Sequence, residues 1–196
     1  SAKSHLIAYG GDNFFEKKNI QLSNKYDFLS SKFALKVCRI EPENNIDLIL
    51  HAFSLFSSFK LVVVGNWENS KFGIDLMTKY QEFENLYLLE PIYDQGILNI
   101  LRTNCSIYIH GHSAGGTNPS LVEAMCLGLP IIAFDVIYNR VTTQNKSLYF
   151  KNCEQLLAIL DDLDSITLSQ VSLDMKSIAQ SEYTWSNISD KYAKIL

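Results

Sequence analysis

The segment from His110 to Pro130 carries the clearest indication of chemistry in this 196-residue chain. A pair of glycines at 115–116 precedes an apolar stretch with helical spacing, and Thr117 or Asn118 is suited to cap the start of that helix. Pro119 fits the first helical position. The free amides at such a helix start carry partial positive charge, and glycines let a ligand approach the backbone closely. The segment is therefore predicted to bind phosphate.

Two charged side chains are the best candidates to act together with this segment. Arg39 ends an earlier apolar stretch, and its planar guanidinium suits a diphosphate, although a surface arginine in an ordinary loop is the simpler interpretation. Glu123 lies about one turn into the helix that follows Asn118. Its carboxylate could face solvent, favour the helix dipole or accept hydrogen bonds from ribose hydroxyls.

Weaker candidates lie nearby. Tyr93 is either an ordinary loop aromatic or a nucleobase contact, and Arg140 is either a plain loop arginine or a further cation. His112 is expected to hydrogen-bond a sugar or phosphate; its spacing from His110 would suit a metal, but no third ligand follows, so we expect no metal site. Ser120 is a good hydroxyl donor, yet the absence of a Gly-x-Ser-x-Gly motif argues against a serine hydrolase.

The composition excludes several classes of function. A net charge of −4 and a pI near 5.5 disfavour a nucleic-acid partner. The GxGxxG fingerprint is absent, which argues against NAD or FAD, and a Walker A loop is missing too. The four cysteines are scattered through apolar runs and are expected to be buried free thiols. Because no apolar run is long enough to cross a bilayer, we expect a cytoplasmic protein.

The elements that must position these residues alternate along the chain. Short apolar stretches predict six strands, at 33–39, 60–65, 85–90, 105–111, 129–135 and 147–150, with amphipathic helices between the first five of them. This order predicts an α/β fold: a doubly wound, parallel, six-stranded Rossmann-like sheet with helices on both faces. After Phe150 the pattern is wholly helical, which predicts a helical C-terminal tail.

Such a sheet brings the candidate residues together. With strand order 3-2-1-4-5-6, ligands bind at the carboxyl ends of strands one and four, where the winding direction reverses. Strand one ends at Arg39, and strand four ends at His110, just before the glycine pair. We therefore expect the arginine and the phosphate-binding loop to face one crevice.

These segments resemble the donor-binding, C-terminal domain of GT-B fold glycosyltransferases, specifically the large retaining family 4 that uses nucleotide diphosphate sugars. The resemblance covers most of the chain. It rests on KVCRIEPENNIDLILHAF (36–53), LVVVGN (61–66) and NPSLVEAMCLGLPIIAFD (118–135), and YGGD (9–12) is similar to the interdomain Asn-Gly-Val-Asp segment of the family. HSAGGTNPSLVEAM (112–125) resembles in particular a subgroup of rhamnosyltransferases.

The resemblance implies a role for each site residue. Arg39 and Glu123 would be the catalytic residues, with Arg39 on the donor diphosphate and Glu123 on the ribose. The other donor-binding residues would be His112, Gly115, Gly116, Thr117, Asn118, Ser120, Tyr93 and Arg140. No metal and no cofactor are implied, because the nucleotide diphosphate sugar is the substrate.

Two positions depart from the family pattern. Gly115 stands where the family usually has the first of two glutamates, which removes a carboxylate expected to contact the donor sugar. Asn44 matches a family lysine, which removes one diphosphate cation, and Arg140 is a candidate substitute. Because the helix motif is otherwise intact, we expect an active subgroup rather than a degenerate domain.

GT-B enzymes work in a cleft between two Rossmann-like domains, so the resemblance implies that this chain is one half of an enzyme. Residues 1–32 would form an interdomain crossover segment and 33–196 the donor domain, with the N-terminal acceptor domain absent. The full-length enzyme would move a hexosyl group, in this subgroup rhamnosyl, to a glycan or lipid-linked acceptor, with peripheral membrane association left open. The chain alone would bind without turnover. The alternatives are a non-catalytic nucleotide-binding module and a sugar-nucleotide epimerase on the same fold.

Overall fold

The computed structural model describes residues 7–12 and 26–195. Six strands form one parallel sheet in the order β3-β2-β1-β4-β5-β6. The strands are β1 (Phe33–Val37), β2 (Lys60–Val64), β3 (Leu86–Leu89), β4 (Ile107–His110), β5 (Ile131–Phe134) and β6 (Leu148–Phe150). The predicted fold class and strand order are therefore confirmed. All six strands are shorter than predicted, because the predicted stretches also included loop residues such as Arg39, Glu90 and Gly111.

Eight α-helices surround the sheet in the described part of the chain. They are α1 (Ile46–Leu55), α2 (Lys71–Tyr80), α3 (Gln95–Asn104), α4 (Pro119–Cys126), α5 (Ile137–Thr142), α6 (Cys153–Asp161), α7 (Ser165–Glu182) and α8 (Trp185–Ala193). The helix α7 begins earlier than its apolar pattern indicates, because the Asp164 side chain caps the amides of Ile166 and Thr167. The predicted helical C-terminal segment is confirmed.

The core has two layers, one on each face of the sheet. Leu35 and Tyr108 belong to the cluster beneath α3, α4 and α7, whereas Ala34 and Ile109 belong to the cluster beneath α1, α2 and α6. Neighbouring residues of a strand point to opposite faces, and all four of these side chains are buried. Burial on both faces is what a parallel sheet covered by helices requires.

The chain is already packed before residue 33. The Phe28 ring lies 5.2 Å from the ring of Phe33 and 4.8 Å from that of Tyr87, and Phe28 is buried. The Gly11 amide donates to the Tyr183 carbonyl at 2.9 Å, so the YGGD segment packs on the C-terminal helices. Phe28 is thus a core residue, although the sequence indicated only a crossover there; residues 13–25 lie outside the described residues, and the domain division stays a prediction.

Two further expectations concern cysteines and membrane spans. All four cysteines are free, as predicted, but only Cys105 is fully buried. Within the described ranges, no helix has the length and apolar character needed to span a membrane.

Candidate functional site

The loops that follow β1 and β4 are hydrogen-bonded to each other. Ser113 donates to the Glu43 carbonyl from both its amide and its hydroxyl, at 2.8 and 3.0 Å. Asn45 donates from Nδ2 to the Gly111 carbonyl at 2.7 Å. The two segments that the sequence expected to share one crevice therefore meet directly.

Asn44 links this junction from within the β1 loop. Its buried side chain donates from Nδ2 to the Arg39 carbonyl at 2.8 Å, and its Oδ1 lies 3.0 Å from Nδ1 of His112. Asn45, the next residue, has a positive φ of 50° and begins α1. Asn44, which stands where the resembling family has a lysine, therefore connects the two loops.

Gly111 permits the close approach of the two loops. A Cβ at this position would overlap the Asn44 carbonyl oxygen and would lie 2.7 Å from Cδ1 of Ile49 and 2.9 Å from Nζ of Lys36. Because these neighbours include backbone, only glycine fits without a shift of the chain.

The second half of the β4 loop is held differently. Gly115 has a φ of +80°, and a Cβ at Gly116 would meet no heavy atom within 4 Å. Asn118, not Thr117, caps α4: its Oδ1 accepts from the Ser120 amide at 3.0 Å and from the Ser120 hydroxyl at 2.8 Å. Within residues 7–12 and 26–195, the amides of residues 115–117 have no acceptor. The predicted helix start is confirmed, with free donors before it.

A pocket of about 350 Å³ lies at the carboxyl ends of β1, β2 and β3. Arg39 and Tyr93 both line it, with side chains that are largely exposed, and Gly65 and Asn66 form part of its wall. The Arg39 guanidinium also lies 3.7 Å from the Glu43 carboxylate. Since β1 is between β2 and β4, Arg39 lies between this pocket and the glycine loop.

Glu123 is paired with an arginine that the sequence did not indicate. Arg102, in the last turn of α3, donates from Nη2 to Oε2 of Glu123. The Arg102 side chain is only 6% exposed, whereas that of Glu123 is 37% exposed. An arginine in the last turn of an amphipathic helix ordinarily faces solvent, so the sequence position of Arg102 did not indicate this contact.

The YGGD segment lies beside Glu123. A Cβ at Gly11 would lie 2.7 Å from Cγ1 of Val122 and 2.9 Å from the Glu123 amide nitrogen. Asp12 accepts the Trp185 amide at 2.7 Å and so anchors the segment to α8. The YGGD segment therefore packs between the middle of α4 and the C-terminal helices.

Among the described residues, the Arg140 side chain is hydrogen-bonded outside the β1 and β4 loops. It belongs to the helix α5, which the sequence had indicated as a loop, because six residues are too few to show helical periodicity. Its Nε and Nη2 both donate to the carboxylate of Asp135, and its guanidinium lies 4.2 Å from the Tyr149 ring. This hydrogen bonding lowers the pKa of Asp135. The neighbouring Asn139, which the sequence did not indicate, contacts the site instead: its Nδ2 donates to the His112 carbonyl at 2.9 Å.

Two buried titratable groups lie behind the junction. Burial lowers the pKa of Lys36 and lowers that of His110 well below its usual value. His112 is less buried, and desolvation lowers its pKa as well. In the described part of the chain, no three His, Cys, Asp or Glu side chains lie close enough together to hold a metal ion.

Comparison with known proteins identifies a family for this chain. Residues 18–173 match the family described as glycosyl transferases group 1. No curated protein matches the chain.

Three solved structures illustrate the shared fold. A glycosyltransferase from Rickettsia africae ESF-5 is 15% identical with a TM-score of 0.78, over 96% of this chain and 55% of that one. Anabaena Alr3699/HepE in complex with UDP-glucose is 15% identical with a TM-score of 0.76, over 89% and 51%. Sucrose-phosphate synthase (tll1590) from Thermosynechococcus elongatus is 17% identical with a TM-score of 0.72, over 85% of this chain and 45% of that one.

The chain spans about half the length of these proteins. Because the family match extends over most of its residues, the chain belongs to the group 1 glycosyl transferases, a GT-B family.

Proposed function

We propose that this chain is the donor-binding half of a glycosyltransferase that moves a hexosyl group from a nucleotide diphosphate sugar to a glycan or lipid-linked acceptor. The main support is one arrangement at the carboxyl edge of the sheet. The pocket with Arg39 and Tyr93 and the free amides of residues 115–117 lie on either side of the β1–β4 junction. The half-exposed carboxylate of Glu123 lies on the helix that follows those amides.

Each part of a nucleotide diphosphate sugar has a chemical counterpart in this arrangement. The nucleobase would occupy the pocket against Tyr93, and the diphosphate would lie between the Arg39 guanidinium and the amides of residues 115–117. Glu123 would accept the ribose hydroxyls. Arg39 and the amides would then stabilise the negative charge that grows on the departing nucleotide diphosphate, which requires no protein-bound metal.

The finer assignments belong to the same proposal. The likeness of the 112–125 segment to rhamnosyltransferases supports a rhamnosyl donor and the retaining chemistry of family 4. The acceptor and any group that activates it would come from an N-terminal domain, with the full-length enzyme in the cytoplasm and able to associate peripherally with a membrane. His112, Thr117 and Ser120 would contribute to the wall of the donor site.

Nucleotide binding by the 196-residue chain tests the assignment directly. Calorimetric titration with UDP, GDP, ADP and dTDP should identify at least one ligand, and Arg39→Ala and Glu123→Gln should each weaken its binding about tenfold or more, because each removes a charge-assisted hydrogen bond. Lys71→Ala and Glu182→Gln, which alter exposed ion pairs elsewhere, are matched controls and should leave affinity unchanged. Absence of binding by all four nucleotides, or wild-type affinity in both site variants, contradicts the proposal.

A non-catalytic nucleotide-binding module is a second candidate. It is favoured by Gly115, which supplies no carboxylate, and by Asn44, whose side chain is committed to the loop junction. The full-length protein distinguishes the candidates: a module would bind nucleotide yet transfer no sugar from any donor. An epimerase would instead convert the nucleotide sugar in the absence of an acceptor.

A further inference from the structure

The Arg102–Glu123 pair has an unusual environment for an ion pair. The two residues come from different helices, Arg102 from the end of α3 and Glu123 from the middle of α4. The arginine side chain is 6% exposed, so its charge lies in the interior, whereas the carboxylate is partly open to solvent. Moving a guanidinium out of water is costly unless its donors are satisfied.

The donors of Arg102 are not all satisfied. Its buried Nε has no hydrogen-bond partner among the described residues. Arg140 provides a contrast in the same protein, because its Nε and Nη2 both donate to the carboxylate of Asp135. A pair maintained for stability alone is expected to resemble the Arg140 pair, since a buried donor without an acceptor is destabilising.

The geometry on the carboxylate side indicates what the pair does. Arg102 donates to one oxygen, Oε2. In residues 7–12 and 26–195, the other oxygen, Oε1, has no hydrogen-bond partner. A free glutamate side chain loses rotamer freedom when it binds a ligand, and a contact that fixes the side chain beforehand removes that cost.

We propose that Arg102 is a positioning residue that holds the Glu123 carboxylate with Oε1 presented to the free sugar hydroxyls of the donor nucleotide, a role that rests on the proposed function above. Arg102 acts through Glu123 and does not touch the nucleotide. Its planar, permanently charged guanidinium suits this task, because it orients the carboxylate and stays charged at every physiological pH.

Matched ribose and dideoxyribose nucleotides test this role. UDP, GDP, ADP and dTDP are each compared with the 2′,3′-dideoxy form, and the ratio of the two Kd values measures the hydroxyl contact alone. For the pair that binds, we expect the wild-type ratio to be about tenfold or more, since the contact is charge-assisted. Glu123→Gln and Arg102→Met should both lower this ratio of Kd values towards one. The ratio for Arg102→Lys should lie between that of Arg102→Met and that of the wild type.

Controls separate positioning from a merely structural role. Lys191→Met removes the cation of the exposed Glu182 pair and should keep the wild-type ratio. A purely structural Arg102 would lower the thermal midpoint of Arg102→Met and Arg102→Lys without changing the ratio of either, which would overturn the inference. If Arg102→Met does not fold, Arg102→Lys and Arg102→Gln provide the same readout.

The two proposals fail in distinguishable ways. If Glu123→Gln keeps the wild-type ratio, Glu123 does not bind the ribose and both proposals are wrong at this residue. If the ratio falls to about one in Glu123→Gln but keeps its wild-type value in the Arg102 variants that fold, Glu123 does bind the ribose and only the role of Arg102 is wrong. In the double variant Glu123→Gln with Arg102→Lys, the effects should not add, because both act on one contact.

Discussion

The two halves of the β4 loop differ although they follow one another directly. Residues 111–113 are bonded to the β1 loop through Gly111, Ser113 and His112. Residues 115–117 have amides without acceptors in the described structure and no heavy atom near the Cβ position of either glycine. The first half is thus part of the fold, and the second half is available to a ligand. Gly111 is required because neighbouring chain is too close for a side chain, whereas Gly115 and Gly116 border open space.

The largest effect is expected at the fixed half. Gly111→Ala should destabilise the chain by about 3 kcal/mol, because the added Cβ would overlap the Asn44 carbonyl and force the two loops apart. The free energy of unfolding in urea measures this effect. A change below about 0.5 kcal/mol, the usual range for a surface substitution, would show that the junction is not close-packed.

Asn44 should come next. Asn44→Ala removes the hydrogen bonds to the Arg39 carbonyl and to the His112 ring and leaves buried polar groups without partners, so we expect a loss of about 2 kcal/mol. The measurement is again urea unfolding. Asn104→Ala, at an exposed position at the end of α3, is the control and should cost less than about 0.5 kcal/mol. Equal losses in the two variants would contradict the linking role.

A pH effect is expected from His110, which is buried beneath the same junction. Its pKa is lowered well below 6.5 in the folded chain, so between that lowered value and 6.5 the unfolded chain binds the proton and the folded chain does not. The free energy of unfolding should therefore fall with decreasing pH in this window, by about 1.4 kcal/mol per pH unit at most.

The contribution of His110 is isolated by difference. Between pH 6.5 and 5, the free energy of unfolding of His110→Gln should change less with pH than that of the wild type. His112, whose pKa is also lowered, acts in the same direction in both proteins and cancels in the comparison. Parallel profiles for the two proteins would show that folding does not lower the pKa of His110.

The smallest effect on stability is expected in the free half. Gly116→Ala should change the free energy of unfolding by less than about 0.5 kcal/mol, because its methyl group would meet no protein atom, yet it should weaken nucleotide binding by adding bulk within the ligand-binding loop. Gly115→Ala is the matched comparison and should cost about 1 kcal/mol, since its φ of +80° disfavours a side chain. Unchanged nucleotide affinity in Gly116→Ala would contradict a ligand site at this half.

Much of the fold could be predicted because its determinants are local. The spacing of apolar residues marked the strands and most helices, and the Asn118 cap with Pro119 marked the start of α4. The helix α5 was missed because its six residues, IYNRVT, are too short to reveal a period. Phe28 was missed because the ring contact from β3, that of Tyr87, comes from far along the chain.

Some features of the candidate site could likewise be predicted from the sequence, and others could not. By itself the sequence determined the order of the sheet, the glycine pair and the capped helix start, since these follow from backbone conformation and the chain's own periodicity. Only the tertiary structure decided that Arg102 meets Glu123, that Asn44 joins two loops and that Arg140 pairs with Asp135. Partners of buried polar groups are chosen by whatever the fold brings within hydrogen-bonding distance, and a linear pattern does not contain those distances.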